Sequence, residues 1–403
     1  MPAEATGADR SEPETPLADS KSEASVNGHR RVSPLELFYD LVFVLAMAQL
    51  THHLVAYLTW RGAAETLVLT VAVCGVWAST GFNVSLMDIQ ASWTRLIAVG
   101  AMGLSLFMNS AIGSAFGDGS WLFTAAMLAA LAGPAVIAAL HGPSAPMRKH
   151  FVRQLLWLAA SAPLWLIGAA VPSEPRLWLW AAAAAINVTG AWTAHPLPGD
   201  ALDSERMPFD SAHFLERLRL FLIILMGETV LSLGSVIAEQ PNEPVTLIAA
   251  LGTFIALVGL WFAYFGRGER IAVGHAAATD DPIRAVHLGI NMTYVVLAGL
   301  IAFAAGSELL IVHAAESRAG VGGVLLLGGP ALYLLAQAVY FRLTADTDWR
   351  PRAFGGLLLA AAAVAAPWTP PLAVIGVLVL ITTALAVRLT GERNWRPEAD
   401  RAI

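Results

Sequence analysis

The feature that most constrains this chain is a succession of apolar stretches, each about 20 residues long and set apart by short polar breaks. A helix needs about that many apolar residues to cross roughly 30 Å of hydrocarbon at 1.5 Å per residue. Inside a bilayer the backbone must satisfy its own hydrogen bonds, so such stretches can only be helices. The chain is 57% hydrophobic and 13% charged, against roughly 25% charged residues in an ordinary soluble domain. The expected fold is therefore all-α, a polytopic transmembrane helical bundle of about twelve helices whose first partner is the lipid bilayer.

The apolar runs predict helices over 34–57, 63–85, 94–115, 120–141, 150–171 and 175–195, then 212–237, 244–266, 283–306, 321–342, 353–367 and 370–389. Pro367, Pro370 and Pro371 punctuate the last two, which read either as a hairpin or as one kinked element. Orientation follows from the retention of Lys and Arg on the cytoplasmic side. With the N-terminus inside, the outer loops hold Arg61, Arg176 and Arg318 of the 24 Lys and Arg residues, and the rest lie inside. The expected location is the cell membrane, with both termini cytoplasmic.

Residues 1–31 form an acidic, Ser-, Ala- and Pro-rich segment that cannot bury enough apolar surface to order itself, and no apolar core of a signal peptide precedes the first helix. A first membrane half (32–195), a polar cytoplasmic linker (196–211), a second half (212–390) and a cytoplasmic tail (391–403) complete the expected organisation. Six helices per half would set both halves in the same direction, as in a parallel repeat. Glu36 against Glu216 and Trp77 against Trp261 are weak echoes of one. The single cysteine, Cys74, rules out an intramolecular disulfide and argues against a Cys-based metal site. The motifs of phosphate-binding loops, dinucleotide folds, zinc proteases and serine hydrolases do not occur, and no nucleic-acid partner, cofactor or resident metal is indicated.

Ionisable residues within spans cost at least about 2.5 kcal/mol each, so the few present are informative. Ser33, Pro34 and Glu36 make a capping box for helix 1, and Asp40 lies one turn deeper on the same face. His52 and His53 read as solvated imidazoles near the outer surface. In helix 7, His213, Glu216, Arg217 and Glu228 fall within about 120° of arc at 100° per residue. Glu228 is about 16 Å further along the helix than Arg217, which places a carboxylate near the midplane. Its candidate partners are His287 and Asn291 of helix 9, at i and i+4, and Arg95 of helix 3. Gln49, Asn83, Asn109, Asn187, His195 and Gln337 read as interhelical glue.

The segments LELFYDLVFVLAMAQLTHHL at Leu35 to Leu54 and HFLERLRLFLIILMGETVLSL at His213 to Leu233 resemble the two motifs of the bacterial low temperature requirement A (LtrA) family of membrane proteins. The resemblance spans roughly 32–390, and His287 falls where such proteins tend to place a histidine. Leu218-Arg219 departs from the more aromatic or Gly-containing stretch typical there. The resemblance implies a membrane protein and draws attention to Glu36, Asp40, His213, Glu216, Arg217 and Glu228, but it assigns no chemistry.

Three functions fit these observations. A secondary transporter or permease for a small molecule or ion would use Asp40, Glu228 and His287 for coupling. An intramembrane enzyme acting on a lipid or isoprenoid would use the same acids and histidines as general acids, bases or metal ligands. A noncatalytic membrane protein of stress or cold adaptation would use them for stability alone. Substrate, coupling ion and oligomeric state are not encoded legibly.

Overall fold

The structure is a computed structural model, and it describes residues 32–87, 92–142, 144–197, 211–240, 243–265, 282–344 and 346–390. The expected acidic segment 1–31, the tail 391–403 and nearly all of the linker 196–211 lie outside the described residues.

The described residues form an all-α bundle: α1 (Pro34–Ala56), α2 (Trp60–Ser85), α3 (Ser92–Ser110), α4 (Ser120–His141), α5 (Ala145–Ala170), α6 (Ser173–Trp192), α7 (Ser211–Glu239), α8 (Pro244–Phe265), α9 (Pro282–Val312), α10 (Gly320–Thr344), α11 (Trp349–Ala365) and α12 (Pro371–Thr390). Ten of the twelve are long and apolar enough to cross a membrane. The other two are α3, whose apolar run is diluted by Arg95 and Asn109, and α6, which opens with Glu174 and Arg176. Large apolar side chains such as Leu96, Leu140, Phe354, Val364 and Leu380 are turned outward, as the perimeter of a lipid-solvated bundle requires. The ambiguous C-terminal pair is two helices, joined by one 3-10 turn at Ala366–Trp368.

Local chemistry explains the helix ends. Ser33 Oγ accepts from the Glu36 N–H and Glu36 Oε2 accepts from the Ser33 N–H at 2.8 Å, the expected capping box, with Pro34 in the first turn. Thr59 and Ser144 cap α2 and α5 by accepting from the Gly62 and Met147 N–H groups. Several hydroxyls buried within the spans bond to their own helix. Thr66, Thr70, Thr253, Thr293, Ser307 and Thr382 each donate to the carbonyl four residues back.

The packing of the second half follows that of the first, helix for helix. In the first half α1 packs on α2 and α3, α3 on α4, α4 on α5, α5 on α6, and α2 reaches α3, α4 and α6. In the second, α7 packs on α8 and α9, α9 on α10, α10 on α11, α11 on α12, and α8 reaches α9, α10 and α12. The halves meet where α1 packs on α7 and α9 and where α2 packs on α9. The echo between Trp77 and Trp261 does not carry over to environment: Trp77 is fully buried, whereas Trp261 is exposed.

Candidate functional site

The two segments that carry the family resemblance meet face to face. Glu36 and Asp40 are one turn apart on α1, His213 and Arg217 one turn apart on α7, and each pair therefore shares a helix face. His213 Nε2 lies 2.9 Å from Glu36 Oε1. Arg217 donates from Nη2 to Asp40 Oδ1 at 2.8 Å and from Nε to both carboxylate oxygens at 3.3 and 3.4 Å. Both pairs advance in the same sense along the two chains, so α1 and α7 run parallel, as six intervening crossings require. All four side chains are buried.

Aromatic rings complete the enclosure. Trp77 donates its indole N–H to Asp40 Oδ1 at 2.8 Å and stacks on Phe221 with ring centroids 4.1 Å apart. The guanidinium of Arg217 sits 5.2 Å from the Tyr39 ring centre and 5.8 Å from that of Trp77. Gly81 leaves the room for it, since a Cβ there would come within 2.9 Å of Arg217 Nη1. Glu216, expected on the same polar face, is only half-buried and takes no part in these pairs.

Two expectations change. Glu228 is buried on α7, but its hydrogen-bond partner is Ser232, one turn along the same helix at 3.4 Å, rather than His287, Asn291 or Arg95. His53 is not solvated: it faces the bundle, 3% exposed, with Nε2 3.3 Å from Glu65 Oε2 of α2, while His52, 100° around the helix, remains exposed. Glu65 also accepts from Arg61 Nε at 2.8 Å, and Arg61 reaches Glu174.

His287 and Asn291 belong to a different place. With α2, α4, α5 and α6 they line a two-lobed cavity whose lobes join at Ser79, Gln154, Ala191, His195 and Tyr294. The C-terminal parts of α2 and α6 and the N-terminal parts of α5 and α9 build its polar lobe, at the end of the bundle where the odd-numbered helices begin. One lobe is rich in imidazole and amide, with Asn83, His150, Gln154, His195, His287 and Asn291. The other is walled mainly by Val71, Met127, Leu131, Trp165 and Val188. His150 and His195 stand with ring centres 6.1 Å apart, and Phe82 packs against both His150 and His287.

Among the described residues five buried polar atoms of this lining have no hydrogen-bond partner: Asn83 Oδ1, His150 Nδ1, Gln154 Oε1 and His195 Nδ1 around the polar lobe and Trp165 Nε1 in the other. Leaving such an atom unsatisfied costs about 1–3 kcal/mol, so a solute that hydrogen-bonds to them would recover that cost. His195 is presented by backbone strain. Ala194 and His195 both hold left-handed conformations, at φ 57° and 54°, and the His195 N–H donates to Gly190 O at 2.7 Å. For residues other than glycine this costs about 1–2 kcal/mol each. A Cβ on Gly190 would strike the Trp157 ring at 2.8 Å, so glycine is what lets the turn fold back. Beyond the end of α6, burial and the neighbouring His287 and Arg153 hold the His195 imidazole down to about 4. Among the described residues no group of three or more His, Cys, Asp or Glu is arranged to hold a metal ion.

Reading the sequence singled out His287 and Asn291, took Asn83, Asn187 and His195 for glue, and passed over His150 and Gln154. The signal was there, in Ser79 with Asn83, His150 with Gln154 and His287 with Asn291. Each is a polar pair at i, i+4 near the same end of a different helix.

A multi-pass membrane protein, with twelve helices among the described residues, a buried charge lock and a polar cavity, is the class this architecture defines. The chain belongs to the bacterial low temperature requirement A protein (LtrA) family, whose sequence profile it matches over residues 31–387. It is also similar to an uncharacterized protein of Rhizobium meliloti (strain 1021), 28% identical over 354 residues that cover 86% of each chain. No solved structure matches it.

Proposed function

We propose that this protein is a secondary transporter or permease that moves a small polar solute through the cavity between α2, α4, α5, α6 and α9. The carrying observation is the gathering of unpartnered Asn83, His150, Gln154 and His195 atoms around one cavity inside an apolar bundle. A solute that hydrogen-bonds to them recovers their desolvation cost, which gives affinity without any further rearrangement. The recurrence of one packing scheme in two halves supports the reading, because transporters of repeated architecture bind solute near the repeat interface. In this reading the protein lies in the cell membrane with both termini cytoplasmic, so the cavity faces the cytoplasmic end.

Asp40 and Glu36 then serve as the lock between halves, and Glu228 is the membrane-embedded carboxylate available to bind a coupling proton. The test is solute flux in proteoliposomes. Asn83→Ala with Gln154→Ala should lower uptake by about tenfold, through weaker binding. Glu228→Gln should leave downhill exchange intact and abolish accumulation driven by a pH gradient. Vesicles of the wild-type chain that move no solute across a broad panel would refute transport.

The apolar lobe favours one other reading, an intramembrane enzyme whose lipid or isoprenoid substrate lays its tail against Leu131, Trp165 and Val188. The cavity histidines would then act as general acids and bases. Turnover of a labelled lipid extract, lost in His150→Gln, would decide for it.

A further inference from the structure

We infer that α6 is a moving element that pivots onto α2 and closes the cavity, and that the second half of the chain already holds the closed form of the same unit. This rests on the transport reading and deepens it, by naming the motion that would act on its site. Aligning Trp77 with Trp261, each two residues after a glycine, sets Gly75 of α2 on Gly259 of α8. Aligning the first residues of α6 and α12 sets Ala184 on Thr382. The buried faces agree with that register. Leu177, Trp180 and Ala184 of α6 fall on Ile375, Leu378 and Thr382 of α12, and all six are buried. In the second half the two helices touch. A Cβ on Gly252 would lie 2.6 Å from Ile375 Cγ2, and one on Gly259 would lie 2.8 Å from Thr382 Cβ. In the first half, among the described residues, a Cβ on Gly75 would have Tyr294 Oη, at 3.4 Å, as its one neighbour within 4 Å. Asn187, Val188 and Ala191 line the cavity there, whereas their counterparts Leu385, Ala386 and Leu389 are buried.

The separation of α2 and α6 is a wedge. At the end where both helices begin, Arg61 pairs with Glu174, and Arg176 donates to the carbonyls of Gly168, Val171, Ala115 and Gly117, so this end of α6 is fixed. Towards the other end the two helices part around the cavity, as far as Asn83 and His195. Rotation of α6 about its fixed end therefore brings Ala184 to Gly75 and, one turn on, Val188 towards Ser79. That is the fit Thr382 and Gly259 already make. Closure sets the apolar walls of the lobe against each other and recovers packing contacts. Tyr294 opposes it, because this side chain reaches in from α9 and stands at the seat that Gly75 leaves for Ala184. It is the spacer between the open and closed forms.

The experiment uses the full chain in nanodiscs, carrying Cys74→Ala and the pair Ser79→Cys with Val188→Cys, under copper-phenanthroline oxidation. A disulfide needs Cβ atoms about 3.5–4.5 Å apart, so its rate of formation reads the closed form. The pair should cross-link at least about tenfold faster than Ser79→Cys with Thr189→Cys, whose second cysteine is turned about 100° away on the exposed side of α6. Gly75→Val, which fills the seat, should slow the pair by about tenfold. Tyr294→Ala, which removes the spacer, should speed it. Equal rates for the two pairs overturn the proposal. So does a rate that Gly75→Val fails to slow or Tyr294→Ala fails to speed, because cysteines held close without a motion need neither seat nor spacer. Size-exclusion chromatography checks that each variant folds, and if added bulk at Gly75 fails there, the truncation of Tyr294 decides. Cross-linking that follows these rules, in a chain whose proteoliposomes move nothing across a broad solute panel, defeats the transport reading and leaves the closure standing. Flux through a chain whose pair never cross-links does the reverse.

Discussion

Arg217 meets Asp40 between the rings of Tyr39 and Trp77, where neither charge could stay if its partner were removed. Breaking a buried ion pair costs about 3–5 kcal/mol, because the surviving charge is left uncompensated, whereas replacing both partners by apolar residues costs far less. Arg217→Met is therefore expected to destabilise the protein by that amount, and the double variant with Asp40→Leu to recover most of it. Unfolding midpoints of the four proteins in a double-mutant cycle check this. His195 carries a pH signature of its own. Its imidazole titrates near 4 in the fold against about 6.5 when exposed, so the folded state resists a proton that the unfolded chain accepts. This group's contribution is complete above about pH 6.5 and declines as pH falls from there towards 4. The thermal midpoint of His195→Gln should fall less steeply than that of the wild type over this window.

Among the elements, α2 does two jobs on two faces. Trp77 and Gly81 turn towards the charge lock, Ser79 and Asn83 towards the cavity, and Phe82 stands between Phe214 of α7 and the histidines of α5 and α9. A shift of α2 would thus be felt in both places at once. The α9 and α10 pair is held differently, by backbones in near contact. A Cβ on Gly329 would lie 2.4 Å from Gly299 O, and one on Gly306 would lie 2.3 Å from the backbone N of Leu326. Small residues are what permit this approach in a membrane, where helices associate by packing rather than by the hydrophobic effect. The neighbouring Gly328 faces open space. Gly329→Val should cost about 1–3 kcal/mol more than Gly328→Val, the two having the same propensity change, as measured by denaturant unfolding in detergent.

For the whole molecule, the distribution of Lys and Arg sets the expected sidedness, and the single buried cysteine makes it easy to test. In a Cys74→Ala background, Asp118→Cys in the exposed turn before α4 should react with an impermeant maleimide added to intact cells. Arg350→Cys at the start of α11 should react only after the membrane is opened. The reverse pattern would invert the molecule and move the cavity to the outer side.

The chain by itself determined that there would be a bundle of about twelve helices, nearly where each begins and ends, and the capping box that starts α1. These follow from length and hydropathy along the chain and from bonds between residues three or four apart. It also exposed which residues are expensive in lipid. It could not say which of them would meet, because Glu36 and His213, like Asp40 and Arg217, are 177 positions apart. Only the parallel packing of α1 on α7 turned two separate motifs into one charge lock, and only the packing of α1 on α2 set His53 against Glu65. The cavity is likewise a property of five helices together. Asn83, His150, Gln154 and His195 are unremarkable polar residues one at a time, and become a site because tertiary packing brings their unsatisfied atoms to a common space.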